Sequence, residues 1–247
     1  MPADQPTILA TSGGALPSKR LFWEFGPLIE YAIELAGVDG RDPRVCLLGT
    51  ALGDSTVLTA HFYEAAQLRG GIRPSHLKLL PMPNVEDIRE HLLSQDVIWV
   101  WGGSVAGLLA LWRLHGVDQV MREAWQAGVV LTGISAGSIC WHVGGTTDSF
   151  GPDLQPVTNG LALVPYSNGV HYDSEEQRRP LFQRLIADGT LPAGYATDDG
   201  VGVLYRGTEV VEAVTELDGK SAYFVERGSG ESAGSTVETR LEPRLLK

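Results

Sequence analysis

The stretch of this sequence best suited to chemistry is GISAG at positions 133–137, a G-x-S-x-G motif. An apolar run, Val129–Thr132, leads into the motif, and Ser138–His142 can continue it as a helix. Strand, motif and helix in this order are typical of a nucleophile elbow, a sharp turn that presents a reactive serine. Small glycines let main-chain atoms approach one another there. We therefore predict that Ser135 is a nucleophile and that the N–H of Ala136 stabilises an oxyanion.

A serine nucleophile at neutral pH needs a general base, and that base needs a carboxylate to orient it. The sequence has six histidines, most of them in predicted helices or at a strand start. His142 lies seven residues along a helix from Ser135, which places it about 10 Å away. His171 follows a loop that contains Asn and Gly, and this loop can bring it over the strand ends. His171 is therefore the predicted base.

Three carboxylates compete as the partner of His171. Asp148 lies in the loop after the motif, Asp173 is two residues past the histidine, and Asp199 follows a predicted strand. Aspartate in such loops is also a common turn former. Sequence spacing alone does not choose among the three.

The elements that must position these residues alternate between strand and helix patterns. Five apolar segments precede helical segments or the serine motif, at 7–11, 44–50, 76–80, 96–101 and 129–132. This order is typical of βαβ units and predicts an α/β fold, a three-layer αβα sandwich with a mainly parallel sheet. Sites in such sheets lie beyond the carboxyl ends of the strands. The segments SGG at 12–14 and GGS at 102–104 are expected there beside Ser135.

After residue 141 the pattern changes. Residues 143–170 are rich in Gly, Pro, Asn and Thr, a helix is predicted over 175–187, and further strands and hairpins over 196–227. The Gly-, Ser- and Glu-rich tail, 228–247, is expected to be loose or to dock through Leu245 and Leu246. Since neither a repeat nor an interdomain linker is visible, we expect one domain over 1–247.

Composition narrows the classes of partner. The formal net charge of −11 argues against nucleic acid and against a polybasic membrane anchor. Two cysteines make neither a disulfide framework nor a metal pattern, which indicates a reducing compartment. No signal peptide or membrane span is recognisable, so we expect a cytoplasmic protein.

The ordered set of motifs resembles the family of peptidase E and its relative cyanophycinase. The resemblance covers about 97–203 and rests on these features: Gly102-Gly103, GISAGS at 133–138, Thr146-Thr147-Asp148, the lone downstream His171, and Asp199-Gly200. It implies a serine peptidase on a class I glutamine amidotransferase-like, flavodoxin-like fold, without a metal or organic cofactor.

Carried over by motif, the resemblance implies a role for each site residue. Ser135 matches the nucleophile and His171 the base, and the N–H groups of Gly103 and Ala136 would form the oxyanion hole. The family usually has Glu where this chain has Asp199, which we predict to be the orienting acid. Asp148 matches another family carboxylate and is the second choice.

The predicted specificity departs from the family. Its aspartyl dipeptidases recognise an N-terminal aspartate with an Arg in a stretch like TREQR, whereas residues 174–178 here read SEEQR. Glu175 stands where that Arg would be, and facing carboxylates repel each other. Arg178 and Arg179 are near, but a helix turns about 100° per residue, so they point elsewhere. Strict Asp-X cleavage is therefore not expected.

Three functions fit the sequence. The first is a serine exopeptidase acting on short peptides, at either end and with carboxypeptidase-type cleavage included. The second is a cyanophycinase-like isopeptidase whose acidic pocket accepts arginine. The third is a catalytically inactive binding protein on the same fold. A short peptide is the expected ligand, nucleic acid and membrane are not, and a homodimer is left open.

Overall fold

Two large β-sheets, a two-stranded ribbon and seven α-helices make up residues 3–230 and 234–247, which the computed structural model describes. The strands are β1 (Thr7–Thr11), β2 (Ala15–Leu16), β3 (Glu24–Phe25), β4 (Arg44–Leu48), β5 (Arg73–Leu77), β6 (Val97–Val100), β7 (Val130–Ile134), β8 (Gly144–Thr147), β9 (Gln155–Val157), β10 (Ser167–Gly169), β11 (Gly194–Thr197), β12 (Val201–Arg206), β13 (Glu209–Thr215), β14 (Ala222–Arg227), β15 (Thr236–Leu241) and β16 (Arg244–Leu245). The helices are α1 (Pro27–Leu35), α2 (Thr56–Arg69), α3 (Ile88–Leu93), α4 (Val105–His115), α5 (Val117–Gln126), α6 (Ala136–Ile139) and α7 (Arg178–Ala187).

The larger sheet has eight strands in the order β16-β13-β12-β1-β7-β6-β4-β5. The five strands from β1 to β5 in this order run parallel, and β12 joins β1 antiparallel. In β4, Val45 and Leu47 enter one hydrophobic core and Cys46 and Leu48 enter the other. Because both faces bury apolar side chains, both are covered by helices. The predicted α/β fold with a mainly parallel sheet is confirmed.

Each face of this sheet has its own helices. Helices α1 and α2 bury Ile29 and Phe62 in one core, and α4 and α5 bury Trp112 and Met121 in the other. Within the described residues, no helix combines the length and the apolar character needed to cross a bilayer.

The second sheet has six strands in the order β15-β14-β11-β10-β8-β9. Its glycines gave the sequence a loop-like composition, yet they lie inside strands. A Cβ on Gly194 would lie 2.1 Å from the carbonyl oxygen of Ser167, and one on Gly145 would lie 2.2 Å from that of Asn168. These glycines allow close approach between neighbouring strands, so residues 143–170 have the composition of a loop although they form β8, β9 and β10.

The C-terminal tail docks onto both sheets. Strand β15 pairs antiparallel with β14, β16 pairs with β13, and the N–H of Leu246 donates to the oxygen of Thr215 at 2.8 Å. Leu246 also packs against a hydrophobic core, whereas Leu245 is exposed. Of the two expectations for the tail, the structure shows docking over 236–246, with Leu246 and not Leu245 against a core, while 231–233 lie outside the described residues.

Some predicted boundaries move for identifiable reasons. Apolar residues recur at helical spacing from Leu21 onward, which predicts a helix from there, but the helix begins at Pro27, and Trp23 packs edge-on against Trp99 at 5.5 Å. The helix predicted from 175 begins at Arg178. The strand predicted over 76–80 ends at 77 because the next main-chain N–H groups donate to side chains, that of Lys78 to Asn84 and those at 79 and 80 to the Asp54 carboxylate.

Candidate active site

Ser135 occupies a one-residue turn between β7 and α6. Its backbone angles, φ 57° and ψ −113°, are strained for a residue with a side chain. The turn is held by neighbours: the N–H of Ser135 donates to Thr11 at 3.2 Å, and its carbonyl accepts from Ser138 and Ile139. This geometry presents the half-buried Ser135 side chain at the carboxyl end of a central strand.

The glycines on either side of Ser135 are required by packing. A Cβ on Gly133 would lie 2.2 Å from the carbonyl oxygen of Gly137, and one on Gly137 would lie 2.1 Å from that of Val100. Real Cβ atoms do not approach backbone so closely. Strand β6 and the turn are therefore in direct main-chain contact.

The Gly102-Gly103 pair at the end of β6 lies beside the serine. The Cβ position of Gly102 is 3.2 Å from Cβ of Ser135. Gly103 has φ +131°, and a Cβ there would lie 2.4 Å from the carbonyl oxygen of Ala51. Only glycine fits this conformation and contact, so the main chain of the predicted oxyanion donor is fixed next to the Ser135 turn.

His171 follows β10 and also has a positive φ, 53°. Its N–H donates to the Ser12 hydroxyl at 3.2 Å, and that hydroxyl lies 2.7 Å from Oγ1 of Thr197. Ser12 comes after β1 and Thr197 ends β11. The histidine backbone is thus tied to the ends of strands from both sheets.

The structure brings His171 and Asp199 together. Nδ1 of His171 lies 2.5 Å from Oδ1 of Asp199. This contact lowers the pKa of the Asp199 carboxyl against the opposing effect of burial, which keeps it ionised. With Nδ1–H donated to the carboxylate, Nε2 carries the lone pair that a base requires. His171 and Ser135 themselves share no hydrogen bond in the described chain, and such bonds often form only with substrate.

Neither of the other two acids bonds the imidazole within the described residues. Asp148 is exposed after β8 and has no hydrogen bond with His171 within the described chain. Asp173 accepts from the main-chain N–H of Asp199 at 2.9 Å and pairs with Lys220. Of the three candidates, Asp199 is the one in contact with the imidazole.

His142, the histidine nearest the motif in sequence, is fully buried. Its Nδ1 lies 2.9 Å from the carbonyl of Ser138, and its Nε2 lies 3.1 Å from the Tyr205 hydroxyl. Burial lowers its pKa to about 4, so it is neutral near pH 7. Both ring nitrogens are engaged, which makes it a structural residue.

Glu175 and Arg178, the predicted substrate-binding residues, bind each other. Nε of Arg178 lies 2.7 Å from Oε2 of Glu175, and the same guanidinium donates to the carbonyl of Thr146. The Arg178 side chain is 3% exposed, whereas that of Glu175 is 44% exposed. Arg178 is therefore committed to the interior, and the carboxylate is what faces outward.

Glu175 borders an acidic cavity of about 460 Å³. Three carboxylates line it: Asp148, Glu175 and Glu176. A cavity of about 710 Å³ lies at the opposite ends of the strands, near Gln5 and Arg206, away from the serine turn. The acidic cavity is the one that adjoins the segment following His171.

Two supporting residues were missed by sequence reasoning. Ser12 was expected at a strand end but had no assigned role, and it holds the His171 backbone. Glu216 accepts from the N–H groups of Gly14 and Leu28, and burial raises its pKa. Nothing in the local sequence marks Glu216, since its partners are about 200 positions away.

Comparison with known proteins shows the family and the fold of this chain. A sequence model of peptidase family S51 matches residues 8–213. The chain is 41% identical to the uncharacterized peptidase YgaJ of Bacillus subtilis strain 168, over 75% of this chain and 79% of that protein. It is 25% identical to a peptidase E of Shewanella denitrificans, over 87% and 93% of the two chains. In fold it is similar to a crystal structure of a peptidase from an acI-B1 Actinobacterium, with a TM-score of 0.65, 17% identity, and 97% and 95% of the two chains covered.

Proposed function

Because this chain belongs to peptidase family S51 and is a serine peptidase, we propose that it is an exopeptidase that hydrolyses short peptides through Ser135, His171 and Asp199. The observation that carries the proposal is the 2.5 Å contact between His171 Nδ1 and Asp199, on a loop tied to the same strand end as the Ser135 turn. This contact supports a pairing in which His171 is the base and Asp199 is its orienting acid.

The chemistry proceeds in two halves. The Ser135 hydroxyl attacks the scissile carbonyl while Nε2 of His171 takes its proton, and Asp199 stabilises the imidazolium. The N–H groups of Gly103 and Ala136 donate to the oxyanion, and each such donor is worth roughly 3–4 kcal/mol of barrier. His171 then protonates the leaving amine. Water attacks the acyl-enzyme, again with His171 as base, and regenerates Ser135.

The acidic cavity supports a preference for a cationic substrate end. Glu175 presents its carboxylate there, and Arg178 is buried and paired, so it offers no free guanidinium to a substrate aspartate. An amine or a basic side chain would be attracted, and a carboxylate would be repelled. We therefore expect poor cleavage of Asp-X dipeptides.

The same cavity favours a second candidate, a cyanophycinase-like isopeptidase that cleaves β-aspartyl-arginine bonds. Three carboxylates around about 460 Å³ can pair with a guanidinium, which is a common bidentate partner of carboxylates. This candidate uses the same three catalytic residues and differs only in the bond that is cleaved.

The test is digestion of a mixed peptide library by the wild type and by Ser135→Ala, read by mass spectrometry. Loss of terminal residues with the wild type alone is the expected result, with fluorophosphonate labelling that also requires Ser135. Ser18→Ala, at a half-buried serine outside the site that bonds Glu24, is the matched control and should behave as the wild type.

Three other outcomes would favour a different substrate or a different function. Release of arginine from β-aspartyl-arginine, without cleavage of ordinary peptides, would favour the isopeptidase. Rapid release of aspartate from Asp-X dipeptides would contradict the cationic preference. A folded wild type that neither cleaves nor becomes labelled would overturn the enzymatic proposal in favour of a binding protein.

A further inference from the structure

We propose that Asp173 is a positioning residue that draws the backbone of Asp199 toward His171. This inference rests on the proposed function, since it takes His171 as base and Asp199 as its orienting acid. Oδ1 of Asp173 accepts a hydrogen bond from the main-chain N–H of Asp199 at 2.9 Å. Asp173 thus contacts the main chain of the acid and leaves the imidazole to Asp199.

The reach of an aspartate explains why this bond matters. One methylene separates the Asp199 carboxylate from its Cα, so its oxygens can lie 2.5 Å from Nδ1 of His171 only when the backbone is close. Two loops must therefore be held together, the one at 171–174 and the one at 197–200. The N–H of Tyr172 donates to the carbonyl of Thr197 at 3.1 Å, and the Ser174 side chain bonds the Asp199 carboxylate.

Among these ties, the Asp173 bond is the one made by a side chain to the main chain of Asp199. It can be removed by substitution without altering a main-chain group or touching the Asp199 carboxylate. The nitrogen in this bond is also covalently attached to the Asp199 Cα, which carries the carboxylate side chain. The position of the Asp199 Cα is therefore under the control of Asp173.

Lys220 fixes the Asp173 carboxylate in this position. Its Nζ pairs with Oδ2 of Asp173, the oxygen that Asp199 does not use. Lys220 lies in the turn between β13 and β14, and Asp173 raises its pKa. Its positive charge offsets the repulsion between the carboxylates of Asp173 and Asp199, which lowers the cost of placing them side by side.

The experiment compares Asp173→Ala and Asp173→Asn in kcat, KM and the rate of fluorophosphonate labelling of Ser135. Asp173→Ala should lower kcat and the labelling rate about 10- to 100-fold, because displacements near 1 Å cost up to about that much. KM should stay within about 2-fold. Asp173→Asn should recover most of the loss, since its amide oxygen accepts the same N–H while the half-exposed Lys220 rotates into solvent.

A matched control separates positioning from general damage. Asp39 also accepts a main-chain N–H, that of Gly40 at 2.8 Å, in an exposed turn outside the site. Asp39→Ala should leave kcat unchanged. Urea unfolding of every variant, followed by circular dichroism, should show that Asp173→Ala and Asp39→Ala lose similar, small amounts of stability.

The sharpest test is a double variant. Asp199→Glu alone should slow the enzyme, because a longer carboxylate is crowded against His171. In Asp173→Ala/Asp199→Glu, the extra methylene spans the gap that the missing bond opens. The double variant should therefore be faster than the product of the two single effects predicts.

The outcomes are distinguishable. If the wild type shows Ser135-dependent hydrolysis and Asp173→Ala keeps its rate within about 3-fold, the positioning role is wrong while the proposed function stands. If Asp173→Asn is as slow as Asp173→Ala, or if the two losses simply multiply in the double variant, the inference is also overturned. Failure of the wild type to hydrolyse peptides or to be labelled would remove both.

Discussion

At the scale of single residues, Ser135 and His171 share an unusual conformation. Both have positive φ values, 57° and 53°, which cost residues with side chains about 1–3 kcal/mol each. Both are held there by the end of β1, through Thr11 for the serine and Ser12 for the histidine. Hydrogen bonds to residues at the end of β1 therefore hold both strained positions.

The acid that orients His171 can be identified by substitution. Asp199→Asn should lower kcat by about 10⁴, because an amide at this position favours the wrong tautomer of His171. Asp148→Asn should change kcat by less than about 10-fold, since Asp148 is exposed and does not contact the imidazole. Steady-state kinetics on one peptide would measure both. The reverse ranking would show that Asp148 is the orienting acid.

The sequence offers candidate residues where the chemistry fixes the residue type, and it offers less where the distance between residues decides. The candidate nucleophile and base could be named from a motif and from the elimination of helical histidines. The acid could not be chosen by spacing, because the contact between His171 and Asp199 depends on how β10 and β11 pair. The supporting role of Ser12 depends on a contact across 159 positions.

At the scale of elements, the serine turn depends on main-chain contact between β6 and the β7–α6 junction. Residues on both sides of the junction are glycines because the backbones touch there. Local sequence predicted the strand and the turn, since a buried apolar run and a glycine-flanked serine are local signals, but the helix ends at Ile139 and does not continue to His142. The strands of the second sheet were poorly predicted because their glycines serve contacts with distant strands.

Gly133→Ala tests that main-chain contact. The new methyl group would lie 2.2 Å from the carbonyl oxygen of Gly137, so the turn must move. We expect a loss of about 3 kcal/mol of unfolding free energy and of Ser135 labelling. Gly37→Ala, in open space with φ +60°, is the control and should cost about 1 kcal/mol with labelling retained. Urea titration measures the unfolding free energy. Equal losses of unfolding free energy in both variants would contradict the main-chain contact.

At the scale of the whole molecule, the two sheets meet around Tyr205. Its ring contacts Tyr166 and Tyr195, which come from the region of the second sheet, at centroid distances of 6.2 and 6.0 Å. His142 packs edge-on against the same ring at 5.5 Å. The sequence did not predict this junction, because it unites residues from four separate segments of the chain.

The buried His142 makes stability depend on pH. Its pKa falls from 6.5 in the unfolded chain to about 4 in the folded protein, so the unfolded state binds the proton more readily between these values. The contribution is fully present above pH 6.5 and is lost as pH falls toward 4. From pH 7 to pH 5 this residue should remove about 2 kcal/mol of unfolding free energy.

Urea unfolding of His142→Gln at pH 7 and pH 5 would measure this contribution. The variant should be less stable at pH 7, yet its loss between the two pH values should be about 2 kcal/mol smaller than that of the wild type. His61→Gln, outside the junction, should retain the wild-type pH dependence. An unchanged pH dependence in His142→Gln would mean that the histidine is not buried in its neutral form.

The position of β1 also bears on when the protein becomes active during its synthesis. This first strand lies between β7 and β12, so residues near position 10 pair with residues near 133 and near 203. A ribosome releases the chain from its amino end, and β1 must wait unpaired on one side until β12 has emerged. Because Ser12 follows this strand and Asp199 comes just before β12, we expect a nascent chain to be unable to hydrolyse peptides until nearly all of it has been made.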